Sequence, residues 1–249
     1  MTALTDIDFV IGPMCKKFPK YFDFYKRQVR RGRYVILDNG AFEGELLTDK
    51  DLLEMAEELC PTEIVAPDVI GDRQGTKERV DTFLKALDAS HIGTSLKVQA
   101  CPQGRTMKDW MDSYKELSAI ERIDVLGITY AEHLGCSPKN FEGIYGVVRA
   151  EAARLEIIHK LVGEDKLVWQ KPHHLLGLYD LHALPWYSQY PFVRSIDTSF
   201  PVACGRDLIR MHWTTKKPRS FSADDYELEF SGERIVCAIE NLQWIRARV

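Results

Sequence analysis

Short apolar runs alternate with longer amphipathic stretches along this chain. Phe9–Ile11 closes on Gly12-Pro13, a turn signal. Tyr34–Leu37, β-branched and aromatic, predicts a strand that breaks at Asp38-Asn39-Gly40. Thr48 starts a helix, with Asp51 completing an acidic variant of the capping box. Leu52, Leu53, Met55, Ala56 and Leu59 give that helix an apolar face at helical spacing, and it stops at Cys60-Pro61. Glu63–Ala66 predicts the next strand, ending at Pro67-Asp68.

The alternation then repeats. Helices are expected over Thr76–Ala89, Met107–Leu117 and Gly146–Leu161, and strands over Leu96–Ala100, Val125–Thr129, Leu175–Leu178 and Val193–Ile196. Strands alternating with helices imply βαβ units and a parallel sheet. At least six such units without a dinucleotide fingerprint favour a closed barrel over the alternative, an open doubly wound sheet. The chain has 249 residues, and a (β/α)8 TIM-type barrel takes about 250. The expectation is one α/β domain over residues 1–249, with 207–249 as a C-terminal segment in which a helix over Ile235–Ile245 closes the barrel.

Composition narrows the class. Hydrophobic residues at 45% and charged ones at 28% fit a globular chain rather than a disordered one. A net charge of −4 does not announce a polyanion partner, so nucleic acid would need a local basic face. Lys16, Lys17, Lys20, Lys26, Arg27, Arg30, Arg31 and Arg33 form one candidate, and Lys216, Lys217 and Arg219 a second; each run taken alone reads as a solvated surface. The six cysteines are Cys15, Cys60, Cys101, Cys136, Cys204 and Cys237, scattered without metal-ligand spacing. They read as reduced thiols of a cytoplasmic protein without a metal or cofactor. No apolar run approaches the ~18 residues of a membrane span.

In a parallel barrel, function sits at the carboxyl ends of the strands. Here the apolar runs end on or near Asp38, Asp68, Gln99, Thr129 and Asp197. One such Asp is most simply a turn or cap residue, but several converging exceed what packing needs. Gly40 permits close approach of backbone to a ligand, and Phe42 can stack on a planar ring, the plainer alternative being a tight turn with a core Phe. His173 and His174 are adjacent on a strand and point to opposite faces, so they cannot share a metal ion; one lines the site or packs. Trp186, Tyr187, Tyr190 and Phe192 can stack bases, or serve as plain core. Cys204 has no nearby His in sequence and receives no role.

At these residues the sequence resembles the tRNA-guanine transglycosylase family. Asp38-Asn39-Gly40-Ala41-Phe42-Glu43 resembles the family's Asp-Ser-Gly-Gly segment, and Ala66-Pro67-Asp68-Val69 its base-reading segment. Lys97-Val98-Gln99-Ala100 resembles its glutamine strand, Leu126-Gly127-Ile128-Thr129 its glycine-bearing strand end, and His174-Leu175-Leu176-Gly177-Leu178 its later glycine segment. Ile196-Asp197-Thr198-Ser199-Phe200-Pro201 through Gly205-Arg206 resembles its nucleophile segment. The order and spread of these matches over residues 34 to 206 carry the resemblance.

The resemblance implies roles. Asp197 is the nucleophile that displaces guanine, and Asp38 the general acid/base. Asp68 and Gln99 read the base edge, with backbone groups at Gly127 and Ile128, neighbouring Thr129, and Phe42 stacked on the ring. Lys16, Lys17, Arg30, Arg31 and Arg206 are candidates for phosphate contacts. The family's cysteine-rich zinc site is absent, Asn39 stands for Ser, Ala41 for Gly, and Val202-Ala203 for Thr-Arg. Those departures point to the compact, zinc-free DpdA-like group of phages and bacterial modification clusters. That group inserts 7-deazaguanines such as 7-cyano-7-deazaguanine into DNA, and the same exchange on tRNA is the alternative. A helicase-like partner, or a non-catalytic nucleic-acid-binding subunit, belongs to the other expectations, as does a barrel hydrolase or lyase.

Overall fold

Each of the seven apolar runs contributes to a strand of a single parallel sheet. The computed structural model describes residues 5–42, 44, 47–92, 94–129, 146–178, 183–211, 218, 219, 225 and 228–247. In chain order the elements are β1 (Ile7–Ile11), α1 (Gly12–Lys17), α2 (Pro19–Arg30), β2 (Tyr34–Asp38), α3 (Asp49–Leu59), β3 (Glu63–Val65), α4 (Arg73–Asp88) and β4 (Lys97–Ala100). There follow α5 (Met107–Ser118), β5 (Val125–Ile128), α6 (Gly146–Gly163), β6 (His173–Leu175), α7 (Leu184–Tyr187), β7 (Val193–Ile196), α8 (Phe200–Arg206) and α9 (Gly232–Arg246). Strand order is β1 through β7 in sequence, every neighbouring pair parallel.

The sheet curls until its two ends meet through side chains. The Phe9 ring on β1 stacks on His174 of β6 at 5.6 Å. Arg194 on β7 reaches Glu63 of β3 at 2.8 Å and Tyr34 of β2 at 3.1 Å. The result is an α/β half-barrel. The expected eighth strand and closed ladder are not among the described residues: seven strands are present and no ladder joins β7 to β1. The physical reason is that the chain leaves β7 and turns within three residues into α8, on which α9 packs. Gly205 lies so close to Ala238 that no side chain fits between the two helices. From there Arg246 reaches Asp6, just ahead of β1, at 3.7 Å. No helix among the described residues is long and apolar enough to cross a membrane.

Strand alternation sorts side chains into two layers. Val10, Val35, Leu37, Ile64, Ala66, Val98, Ala100, Leu126, Ile128 and Leu175 face outward into the core shared with the helices. Ile36, Val65 and Cys101 lie inside the curl with Phe9, Tyr34 and Leu176. By the same alternation Asp38, Glu63, Gln99 and Gly127 belong to the inner layer. The helices form for local reasons. Thr48 accepts the backbone N–H of Asp51, capping α3 as expected, and Leu52, Met55, Ala56 and Leu59 are its buried stripe. Burying each of the larger side chains stabilises by about 1.5–3 kcal/mol. Thr106 and Asp109 repeat that arrangement at α5.

Candidate active site

The loops after β2 and β3 are tied into one network. Asp38 ends β2, buried, and its Oδ2 accepts the N–H of Gly40 at 2.9 Å. Gly40 has φ +83°, a left-handed turn that suits glycine. Asn39 donates Nδ2 to the Ala66 carbonyl at 2.9 Å and to Asp68 Oδ1 at 3.1 Å. Asp68 Oδ2 accepts from Gln103 Nε2 at 2.6 Å, and Gln103 Oε1 accepts the N–H of Gly71 at 3.1 Å. Burial pushes the Asp68 carboxyl above its ordinary range, against the opposing effect of the Asn39 and Gln103 hydrogen bonds.

Gln99 and Gly127 form the adjoining wall. Gln99 is fully buried, with Nε2 3.7 Å from Cys101 Sγ and Oε1 without a partner among the described residues. Thr129 Oγ1 is likewise buried and unpartnered among them. A Cβ at Gly127 would lie 2.6 Å from Cys101 Sγ and 3.1 Å from Gln99 Nε2, so only glycine keeps this wall intact. The Ile128 side chain faces the outer core, and its carbonyl accepts the N–H of Leu176 at 3.1 Å. Burial, reinforced by the charge of Asp68, drives the Cys101 thiol well above its usual value, so it is no nucleophile. Burial also pushes Cys204 up to about 12.

Asp197, one residue beyond β7, is held by one oxygen. Its Oδ1 accepts the N–H of Gly177 at 2.8 Å and lies 3.2 Å from His174 Nε2. No partner holds Oδ2 among the described residues. Gly177 has φ +65°, and the carbonyls of Leu176 and Gly177 both accept from Arg154 Nη2 at 2.7 Å. This buried guanidinium fixes the turn that presents the Gly177 N–H. His174 Nδ1 lies 2.7 Å from Ser195 Oγ, which accepts Arg194 Nε at 3.2 Å.

No family model and no curated protein matches this chain. The site therefore rests on its own geometry. Asp38, Asp68, Gln99, Gly127 and Asp197 all stand at the carboxyl ends of the strands, in the loops or inner layer that the sequence pattern assigns them.

Other candidates are dispersed. Phe42 is 81% exposed on the turn after β2. Lys16 and Lys17 end α1, immediately beyond β1, with Lys16 2.8 Å from Asp51. Arg30 and Arg31 lie at the far end of α2, whose 12 residues carry them about 18 Å down the side of the half-barrel. They sit at the amino-end face, away from Asp38, with Arg31 exposed. Arg206 is buried and held by Asp207 and Asp225 at 2.8 and 2.7 Å, which makes it a structural ion-pair centre and removes it from the phosphate candidates. Lys216, Lys217, Cys136 and Glu43 lie outside the described residues.

The two histidines divide as strand geometry requires. His173 faces outward, 2.8 Å from the Tyr114 hydroxyl, and His174 inward. Phe192 packs edge-on against His173 at 5.1 Å, and buried Tyr187 bonds Glu151, so both belong to the core rather than to a stacking platform. Gln103, Arg154, Arg194 and Ser195 are absent from the sequence-based candidates. Only Ser195, two residues before Asp197 on a strand of period two, carries a signal that it shares a face with the acid.

Proposed function

We propose that this protein is a base-exchange transglycosylase that replaces guanine in DNA with a 7-deazaguanine. The observation that carries the reading is Asp197: one carboxylate oxygen pinned by Gly177 and His174, the other without a partner among the described residues, on the same inner side as the buried Asp38. Asp197 Oδ2 attacks C1′ of the target nucleotide. The C1′–Oδ2 bond forms as C1′–N9 breaks, and the electron pair passes to guanine N9. Asp38 supplies the proton taken up by the leaving base. The incoming base reverses the sequence, surrendering its proton and releasing the Asp197 carboxylate.

The recognition wall supports a flat heterocycle with polar edges. Gln99 Oε1 and Thr129 Oγ1 are buried acceptors in need of donors, and Asp68 adds a carboxyl. A base N–H facing such an oxygen satisfies a group whose isolation costs about 1–3 kcal/mol. The target nucleotide must leave its stack to reach this depth. Exposed Phe42 is then available to close over the ring. On this reading the half-barrel is a (β/α)8-type scaffold in which α8, with α9 packed on it, follows β7 in place of an eighth strand.

The test is nucleoside mass spectrometry after incubation with guanine-containing DNA or tRNA and 7-cyano-7-deazaguanine. A modified deoxynucleoside is the expected product. A modified ribonucleoside alone moves the exchange to tRNA, and modification of neither polymer, in the presence of host extract as a source of partner proteins, overturns the reading.

A further inference from the structure

His174 sits in a continuous chain of polar contacts that begins at the bottom of the barrel interior. Glu63, fully buried, pairs with Arg194 at 2.8 Å. Arg194 Nε donates to Ser195 Oγ at 3.2 Å, Ser195 Oγ meets His174 Nδ1 at 2.7 Å, and His174 Nε2 meets Asp197 Oδ1 at 3.2 Å. Every link is a side chain, and the chain climbs from β3 through β7 and β6 to the carboxyl-end face.

The network assigns a direction to each proton. An ionised Asp197 can only accept, so His174 Nε2 must carry a hydrogen. Ser195 Oγ already accepts from Arg194, which leaves its own hydrogen free to point at His174 Nδ1. When the imidazole is neutral, these contacts make it the Nε2–H tautomer, fixed by hydrogen bonds on both sides. Its ring is 1% exposed and stacked on Phe9 with an interplanar angle of 12°, so it cannot swing away.

From this geometry we infer that His174 is a positioning residue that, through the Glu63–Arg194–Ser195 relay, clamps the Asp197 carboxylate by Oδ1 and leaves Oδ2, unpartnered among the described residues, to react at the carboxyl-end face. The inference rests on the transglycosylase reading for its kinetic consequence, but the relay itself does not. Two N–H donors, from Gly177 and His174, converge on Oδ1. They fix the carboxylate plane before attack and stabilise the charge that returns to Asp197 when the glycosyl ester is broken. Donation to a charged acceptor is the stronger class of hydrogen bond, so losing one of the two slows the ester-breaking step that restores that charge by about tenfold or more.

The experiment has a spectroscopic and a kinetic arm on the full-length chain. Histidine ¹⁵N–¹H correlation spectra in mildly alkaline solution, assigned with His174→Gln, should show His174 as the Nε2–H tautomer, with a resonance that moves in Asp197→Ala. An Nδ1–H tautomer, or a resonance indifferent to Asp197→Ala, overturns the relay whatever the activity. In single-turnover breakdown of the pre-formed protein–DNA adduct by the incoming base, His174→Phe keeps the stacked ring but loses both nitrogens, and should be slowed by about tenfold or more with unchanged DNA affinity. His174→Gln places an amide N–H near the former Nε2 and should recover most of that rate. Ser195→Ala, a smaller change, should give an intermediate loss and serves if His174→Phe does not fold. Equal rates for His174→Phe and wild type refute the positioning role and leave Asp197 as nucleophile. The expected spectrum without an adduct on any polynucleotide refutes the transglycosylase reading and leaves the relay standing.

Discussion

Asn39 donates its side-chain amide to the buried carboxyl of Asp68 at 3.1 Å, joining the loop that follows β2 to the loop that follows β3. The same nitrogen holds the Ala66 carbonyl, and its Oδ1 accepts the N–H of Ala41. Asn39→Ala removes all three contacts at once. It should cost about 1–3 kcal/mol of stability, read as a lower denaturation midpoint at unchanged slope. A midpoint equal to wild type would show that the two loops are held independently.

His173 gives the fold an acid limb. Burial lowers its imidazole to about 4 in the folded chain, against about 6.5 when unfolded. A base depressed on folding favours the folded state fully above its unfolded value. That contribution is lost as pH falls from about 6.5 towards 4, because the unfolded chain takes up the proton first. The difference amounts to about 3 kcal/mol. His173→Gln, which still offers an acceptor to Tyr114, should flatten this part of the stability profile, and parallel profiles would contradict the assignment.

Arg206 anchors the junction of α8 with the chain beyond it. Its guanidinium is buried between Asp207 and Asp225 and also donates to the Arg219 carbonyl. Arg206→Ala leaves the buried Asp225 and its neighbour Asp207 to Arg219 among the described residues and should destabilise by about 1.5–3 kcal/mol, the worth of hydrogen bonds to charged groups. Thermal unfolding measures this directly. A variant with native stability but weakened DNA binding would return Arg206 to the phosphate-contact set.

The basic residues near the N-terminus should separate in function. Lys16→Glu with Lys17→Glu acts beside the carboxyl-end face, whereas Arg30→Glu with Arg31→Glu acts at the opposite end of α2. The lysine pair should weaken DNA binding and make its salt dependence shallower, by roughly one unit of slope for each phosphate no longer neutralised. The arginine pair should leave both unchanged. The reverse result would put the DNA path along the amino-end face.

Much of this architecture is legible in the amino-acid sequence, for reasons that differ between elements. Thr48 with Asp51, and the stripe from Leu52 to Leu59, announce α3 because capping and helical periodicity are local. The strand-end acids are legible because Asp38 and Asp68 follow apolar runs directly. Strand β6, expected over Leu175–Leu178, instead spans His173–Leu175, since two polar imidazoles conceal a fully buried strand. Helix α2 is hidden behind a basic run, although Tyr21, Phe22, Tyr25 and Val29 pack on the core behind its lysines and arginines. Gln103 and Arg194 give no sequence signal. Their partners, Asp68 and Glu63, stand 35 and 131 positions away, and no local pattern encodes a contact made by curling a sheet.

That last separation bears on how the chain comes off the ribosome. Glu63 is synthesised long before Arg194, the cation it faces across the finished interior. Until β7 emerges, closing β2 and β3 into a dry interior would leave a carboxylate held by the Tyr34 hydroxyl but without its cation, a costly state. The expected consequence is that the first strands are kept from settling by their own buried acid, and that the half-barrel assembles late. A nascent chain halted before Val193 should be cut quickly by added protease, and one released after α9 should resist it; equal resistance would mean that the early strands settle without Arg194.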